Sequence, residues 1–183
     1  IVKPFLKKAR IEFLSFPMTQ DRSTLKTHWS KAAERVAKKL SQGLSVAFTT
    51  LGDPGLYRTF GYLLKEVTIR MPELSVEIIP GISSPFACAA AACMSLVLGK
   101  EKLAIIQGEE ADKNTLSSVL EKFDTVVILK VGKRLKAVLN LIDELGLKDQ
   151  AILVTHAGQD KEEKIIRDLS SLKGLEEKLG YLS

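Results

Sequence analysis

The sequence predicts an α/β protein. Three observations carry this. Short apolar runs alternate with segments of helical period along the chain, the pattern of helices connecting mostly parallel strands. The 183 residues, 45% of them hydrophobic, suit one large domain or two small ones and are enough to bury a core. Aromatic residues make up only 6%, which fits an Ala/Leu/Val/Ile-rich α/β protein better than a nucleic-acid binder built on stacking.

The elements follow in order. Residues 1–20 are basic and then apolar. Residues 24–41 form an amphipathic helix, with Leu25, Trp29, Ala32, Ala33, Val36, Ala37 and Leu40 at helical spacing and Gly43 where a helix stops. Leu44–Leu51 reads as a buried strand, and 57–67 as a helix that turns Leu63, Leu64 and Val67 inward. Leu74–Ile79 alternates apolar and polar residues and stops at Pro80-Gly81. Ser84 is an N-cap with Pro85 in the first helical position, opening a helix over 85–94.

A second run of the same kind follows. Lys102–Gln107 is a strand, Asn114 caps a helix to about Phe123, and Asp124–Lys130 is a strand of nearly continuous apolar character. Residues 134–145 form a helix stopped by Gly146. Ala151–His156 is a further strand, Glu163–Asp168 a short one, and 170–179 a final helix. The expected boundary is at Leu98-Gly99-Lys100, giving an N-terminal α/β domain over 1–98 and a C-terminal one over 99–183. The abrupt start at Ile1 and end at Ser183 lead us to expect further segments outside this sequence.

Composition narrows the function. The formal charge of +5 either favours anionic ligands or reflects ordinary surface lysine. Cys88 and Cys93 do not stack on one helical face and read as small core residues of a reduced, cytoplasmic protein. No apolar run is long enough to span a bilayer, and no signal peptide is apparent. Two histidines and two separated cysteines argue against a zinc site.

The informative stretch runs from Thr49 to Ser84. Two apolar runs there each finish in a glycine-containing turn, Gly52-Asp53-Pro54 and Pro80-Gly81-Ile82-Ser83-Ser84. In open α/β sheets ligands bind beyond the carboxyl ends of strands. Glycine lets backbone approach a ligand, and proline fixes the turn. Asp53 either accepts hydrogen bonds from a ribose, attracts a cation or caps its own turn, and Ser84 either meets a ligand at a helix N-terminus or merely caps it. Neither turn is a P-loop, and no dinucleotide fingerprint or nucleophile elbow occurs. His28 reads as a surface residue, whereas His156 ends a strand before Ala157-Gly158, a position with ligand access. Lys130-Val131-Gly132-Lys133-Arg134 stands at another strand end, where its charges face either an acidic substrate or water.

Taken as an ordered set, GDPGLYRT, IIPGISS before an alanine-rich helix, ILKVGKR and VTHAGQ resemble the tetrapyrrole methylase family, the S-adenosylmethionine-dependent enzymes of corrin and sirohaem synthesis. With FPMT at 16–19, GDPGLY at the first turn and LKVGK at 129–133, the chain is similar to the branch that methylates C20 of precorrin-2 or cobalt-precorrin-2. The resemblance covers nearly the whole chain. It implies two α/β domains with the cofactor in the cleft between them. By resemblance, Leu51, Gly52, Asp53 and Leu56 border the methionine part of S-adenosylmethionine, Ser83 and Ser84 sit beside it, and the backbone of Val131 and Ala157 holds the adenine. A homodimer is expected on the same ground.

The resemblance further implies methyl transfer to a meso carbon of a reduced tetrapyrrole, with alignment supplying much of the rate. Loss of the proton needs a base, for which Tyr57 and Asp53 are the candidates. Arg22, Arg58, Lys133 and Arg134 are candidates for pairing with the substrate's acetate and propionate groups, Arg58 first because it adjoins the turn. There are departures. The family opens with a strand and a glycine-proline-rich loop that nothing here matches, it tends to end in a further strand, and His156 stands where relatives often carry arginine. Rival readings are a sister methylase acting at another ring position or on a protein side chain, and a non-catalytic S-adenosylmethionine-binding module.

Overall fold

The computed structural model describes Pro4, Leu6 and residues 8–19, 21–159 and 161–172. It divides into two compact units, Ile1–Gly81 and Ile82–Ser183.

The first unit is built on two helices. Helix α1 spans Arg22–Ser41, and Asp21 caps it by accepting the amides of Ser23 and Thr24. This satisfies two of the four orphan N–H groups of the first turn. Gly43, at φ 76°, takes the left-handed conformation that ends the helix. Helix α2 spans Phe60–Arg70. The two helices meet through Ala32 and Ala33 of α1 and Leu63 and Val67 of α2, with Leu14, Phe16, Val36, Leu40, Phe48 and Leu74 packed around them. Small residues on α1 let the helices approach, and burying a Leu or Val side chain there contributes about 1.5–3 kcal/mol. Arg70 ties the pair together, donating to Ser30 Oγ at 2.7 Å and pairing with Glu66 at 2.9 Å. Trp29 and Tyr62 stack with ring centroids 4.1 Å apart.

Helix α2 begins at Phe60 rather than at residue 57, because the turn continues through Tyr57, whose φ of 51° is incompatible with a helix. The expected strands at 44–51 and 74–79 are corrected: both segments form no ladder among the described residues. A strand is defined by a neighbour some 4.8 Å away, which apolar character alone does not supply. Phe48 and Leu74 reach the core, whereas Leu44, Val46, Leu51, Val76, Ile78 and Ile79 are exposed.

The second unit holds the α/β arrangement. Helix α3 spans Ser84–Ala91 and packs beside a later strand, β3. Strand β1 (Leu103–Gln107) pairs in parallel with β2 (Thr125–Leu129), Leu103 opposite Thr125 and Gln107 opposite Leu129. Helix α4 (Lys113–Leu120) lies in the connection between them, as a parallel pair requires. Helix α5 spans Leu135–Glu144 after a 3₁₀ turn at Gly132–Arg134. Strands β3 (Leu153–Thr155) and β4 (Lys164–Ile166) pair antiparallel, so pairing is parallel only in part. Ala111, Val131, Leu135, Val138, Leu169 and Leu172 form the core. The cap of α4 is Asp112, not Asn114, since the Asp112 carboxylate accepts the Thr115 amide at 2.9 Å. Of the helix expected over 170–179, residues 173–179 lie outside the described residues, and Leu169–Leu172 is a 3₁₀ turn.

Residues 82–98 group with the second unit. Arg167 donates to the Ala92 carbonyl at 2.6 Å, and the Thr125 hydroxyl donates to the Leu96 carbonyl at 2.6 Å. These bonds tie the α3 segment to elements far along the chain, whereas the sequence places the boundary after residue 98.

Candidate functional site

In the first unit the two glycine turns are held against each other. Gly52 adopts φ 69°, a conformation open to glycine at little cost. Asp53 follows, with Oδ1 accepting the Gly55 amide at 2.7 Å and Oδ2 the Gly81 amide at 3.1 Å. A β-carbon on Gly81 would collide with the Gly52 carbonyl oxygen and stand 3.0 Å from its carbon. The turn at 52–55 and the turn at 80–81 thus form one backbone surface, clamped by a carboxylate that uses both oxygens. Leu51 is exposed, Leu56 and Arg58 are half-buried, and Tyr57 is exposed in left-handed backbone.

In the second unit two strand ends share an unusual device. Lys130, directly after β2, has φ 58°, and His156, directly after β3, has φ 53°. Left-handed backbone costs a side-chain-bearing residue about 1–2 kcal/mol. Each strained residue precedes a residue expected to contact the adenine, Val131 and Ala157. The reversal swings the next peptide out of the strand direction, and the Val131 carbonyl accepts the Arg134 amide at 2.6 Å. Strain of this kind clusters at ligand clamps. Val131 is buried and Ala157 half-buried. Around 156–163 the chain is closed by Gln159 N–H donating to the His156 carbonyl at 2.9 Å and Gly158 N–H donating to Glu163 at 2.7 Å.

The parallel register brings Gly108 and Lys130 out side by side. Gly108 N–H donates to the Leu129 carbonyl at 2.7 Å, and a β-carbon at 108 would stand 3.0 Å from both the Lys130 oxygen and the Val131 α-carbon. Lys130 Nζ donates to Gln107 Oε1 at 3.0 Å across the same strand ends. Sequence reasoning missed Gly108, although a glycine directly after an apolar strand was the available signal. It also missed Thr155, whose buried hydroxyl carries no distinguishing pattern in sequence.

Ser83 is buried and occupies the N-cap position of α3, so Ser84 is the first helical residue, not the cap; Ser83 makes no side-chain capping bond. Lys133 and Arg134 are exposed in the 3₁₀ turn after Val131, and Arg22 is exposed at the start of α1. The Thr115 amide, the Thr115 hydroxyl and the Asn114 amide hold the Asp112 carboxyl below its usual range, and the Arg134 charge adds to this. Burial pushes the Cys88 thiol up, reinforced by the Glu163 charge. Cys93 is exposed, which corrects its reading as a core residue: at φ 50° it turns the chain out of α3. Among the described residues no three His, Cys, Asp or Glu side chains gather to hold a metal ion, and no helix is long and apolar enough to cross a membrane.

Known proteins share sequence and fold with this chain. The family profile described as Tetrapyrrole (Corrin/Porphyrin) Methylases matches residues 1–173. A probable cobalt-precorrin-2 C(20)-methyltransferase of Methanocaldococcus jannaschii is 39% identical over 186 residues, covering 100% of this chain and 74% of that protein. The cobalt-precorrin-2 C(20)-methyltransferase of Salmonella typhimurium is 31% identical over 158 residues, and the precorrin-2 C(20)-methyltransferase of Sinorhizobium sp is 32% identical over 163. These cover 86% and 84% of this chain, which spans 65% of each relative. The X-ray structure of the cobalt precorrin-4 methyltransferase CbiF superposes with a TM-score of 0.65 at 20% identity, over 85% of this chain and 68% of that one, a likeness of fold. With nearly its whole length matched, the chain belongs to the tetrapyrrole (corrin/porphyrin) methylases.

Proposed function

We propose that the protein containing this chain transfers the methyl group of S-adenosylmethionine to C20 of precorrin-2 or cobalt-precorrin-2, a step of cobalamin biosynthesis. The observation that carries this reading is the match of the whole chain, at 39% identity, to a relative named for that reaction. Two further relatives above 30% identity carry the same ring position in their names.

On this reading the chain contributes two domains, the second of them α/β, with the donor in the cleft between them. The chain's residues fit such a donor in kind. Val131 and Ala157 offer main-chain groups swung out by left-handed neighbours, the Asp53-clamped turns offer backbone at Leu51, Gly52 and Asp53, and Leu51 and Leu56 offer apolar surface for the methionine side. Ser83 and Ser84 stand at the head of α3 in the second unit. When bound, S-adenosylmethionine supplies an electrophilic methyl on a sulfonium, leaving S-adenosylhomocysteine. The chain's residues orient carbon, methyl and sulfur in line, so positioning supplies much of the acceleration. The proton on the methylated carbon then passes to a base. Both Asp53 oxygens are engaged by backbone amides, which supports a positioning role for Asp53 and leaves Tyr57 as the acceptor this reading names. Arg58, Lys133, Arg134 and Arg22 pair with the substrate's carboxylates, and the protein works as a homodimer.

Incubating the full-length protein with S-adenosylmethionine and precorrin-2, with and without cobalt, tests this. The expected product gains one methyl at C20 by NMR. Methylation at another position places the protein among the sister enzymes, of which a cobalt-precorrin-4 C(11)-methyltransferase of Methanocaldococcus jannaschii is 28% identical, below the C(20) relatives. Absence of S-adenosylmethionine and S-adenosylhomocysteine binding by calorimetry sinks the enzyme reading.

A further inference from the structure

Thr155 ends β3 with 1% of its surface exposed, and its hydroxyl has no hydrogen-bond partner among the described residues. A buried hydroxyl left unpaired is a net cost to folding, and native proteins keep few of them without a reason. Valine would fill almost the same space with nothing to satisfy. A threonine here is therefore unexplained by packing.

Its position supplies a reason. Side chains along a strand alternate, so Thr155 shares a face with Leu153, which packs against the core cluster that contains Val131. The next residue is the left-handed His156, followed by Ala157. Helix α3, with Ser83 and Ser84 at its head, lies beside the same strand. The orphan hydroxyl thus belongs to the strand end that delivers Ala157, on the strand face that also carries Leu153.

We infer that Thr155 is a binding residue for the nucleoside half of the methyl donor, its hydroxyl exchanging a hydrogen bond with the adenosine. This rests on the S-adenosylmethionine reading above and adds to it a side chain where the other expected adenine contacts are main chain. It also sets a trade between stability and binding that a purely structural threonine would not show.

The test compares full-length wild type, T155V and T155S by thermal melting and by calorimetric titration with S-adenosylhomocysteine and with methylthioadenosine, which lacks the amino-acid tail. T155V is expected to melt at or above the wild-type temperature, because its methyl needs no partner. It is expected to bind both ligands about fivefold to tenfold more weakly, the range for one lost neutral hydrogen bond. T155S, which keeps the hydroxyl, is expected to stay within about threefold of wild type. Unchanged affinity in T155V overturns the inference, as does a lowered melting temperature, which assigns the hydroxyl to the fold. A loss confined to S-adenosylhomocysteine overturns the nucleoside assignment. If wild type binds neither ligand, the donor reading itself fails, and the inference with it, before any variant is compared.

Discussion

The Gly81 amide donates to Asp53 Oδ2 at 3.1 Å, joining two turns 28 residues apart in sequence. The same approach brings the Gly81 α-carbon so near the Gly52 carbonyl that no side chain fits between them. Backbone on both sides leaves nothing to swing aside. Gly81→Ala is expected to lower stability by about 2 kcal/mol or more, the range for overpacking against rigid atoms. Gly52→Ala is expected to cost about 1–2 kcal/mol through its positive φ alone. Urea denaturation measures both, and a Gly81→Ala protein as stable as wild type contradicts the packing described.

Asp53 separates a positioning role from a chemical one. Asp53→Ala removes the acceptor of two amides at exposed residues and is expected to cost about 0.5–1.5 kcal/mol and to weaken S-adenosylhomocysteine binding. Asp53→Asn keeps an acceptor oxygen and is expected to recover part of both. Were Asp53 the proton acceptor instead, Asp53→Asn would abolish turnover while leaving S-adenosylhomocysteine affinity as it is in wild type.

Gly108 lies against the Lys130 carbonyl and the Val131 α-carbon, each 3.0 Å from where a β-carbon would stand. Gly108→Ala must push that peptide by a few tenths of an ångström. If the Val131 backbone holds the adenine, a displacement of this size is expected to weaken S-adenosylhomocysteine binding about tenfold while the melting temperature moves by only a few degrees. Equal affinity for the two proteins would remove Val131 from the site.

The left-handed residues offer a converse test. His156→Gly relieves the backbone penalty of about 1–2 kcal/mol but adds glycine's entropy cost of about 0.5–1 kcal/mol. A net gain of about 0.5–1 kcal/mol is expected, whereas His156→Ala keeps the penalty and gains nothing. Equal stability of the two variants by urea denaturation would show that no strain is stored there.

Stability should form a plateau bounded on both sides by named groups. Hydrogen bonds from the hydroxyls of Thr24 and Ser23 and from their amides hold the Asp21 carboxyl well below its usual range, and Lys39 and Arg35 lower that of Glu12. Folded-state values below the unfolded ones mean that this stabilisation is present above the unfolded values of 3.8 and 4.5 and is lost as pH falls toward the folded ones. Cys88 runs the other way. Its thiol is raised above 9.0, so its contribution is complete below that pH and fades as pH climbs through the folded value. Thermal melts from pH 2 to 11 should show both edges. Asp21→Ala should lower the plateau and soften the acid edge, and Cys88→Ala should soften the alkaline one.

Much of this protein is written in short-range pattern. Helical period located α1, α2 and α5 to within three residues at each end, because an amphipathic stripe and a stop glycine at 43 or 146 are properties of a few neighbouring residues. The motif turns at 52–53 and 80–81 and the strand ends before Val131 and Ala157 were legible for the same reason, since each is a run of a few residues. What the tertiary structure decided involves partners far apart in the chain. It left 44–51 and 74–79 without a ladder, since a strand exists only beside another. It committed both Asp53 oxygens to amides, one of them 28 residues away. It set Gly108 against Val131 through the register of β1 on β2. It buried the Thr155 hydroxyl without a partner. Apolar period travels along the chain and can be read from it; hydrogen-bond satisfaction and steric closeness depend on what folding brings alongside.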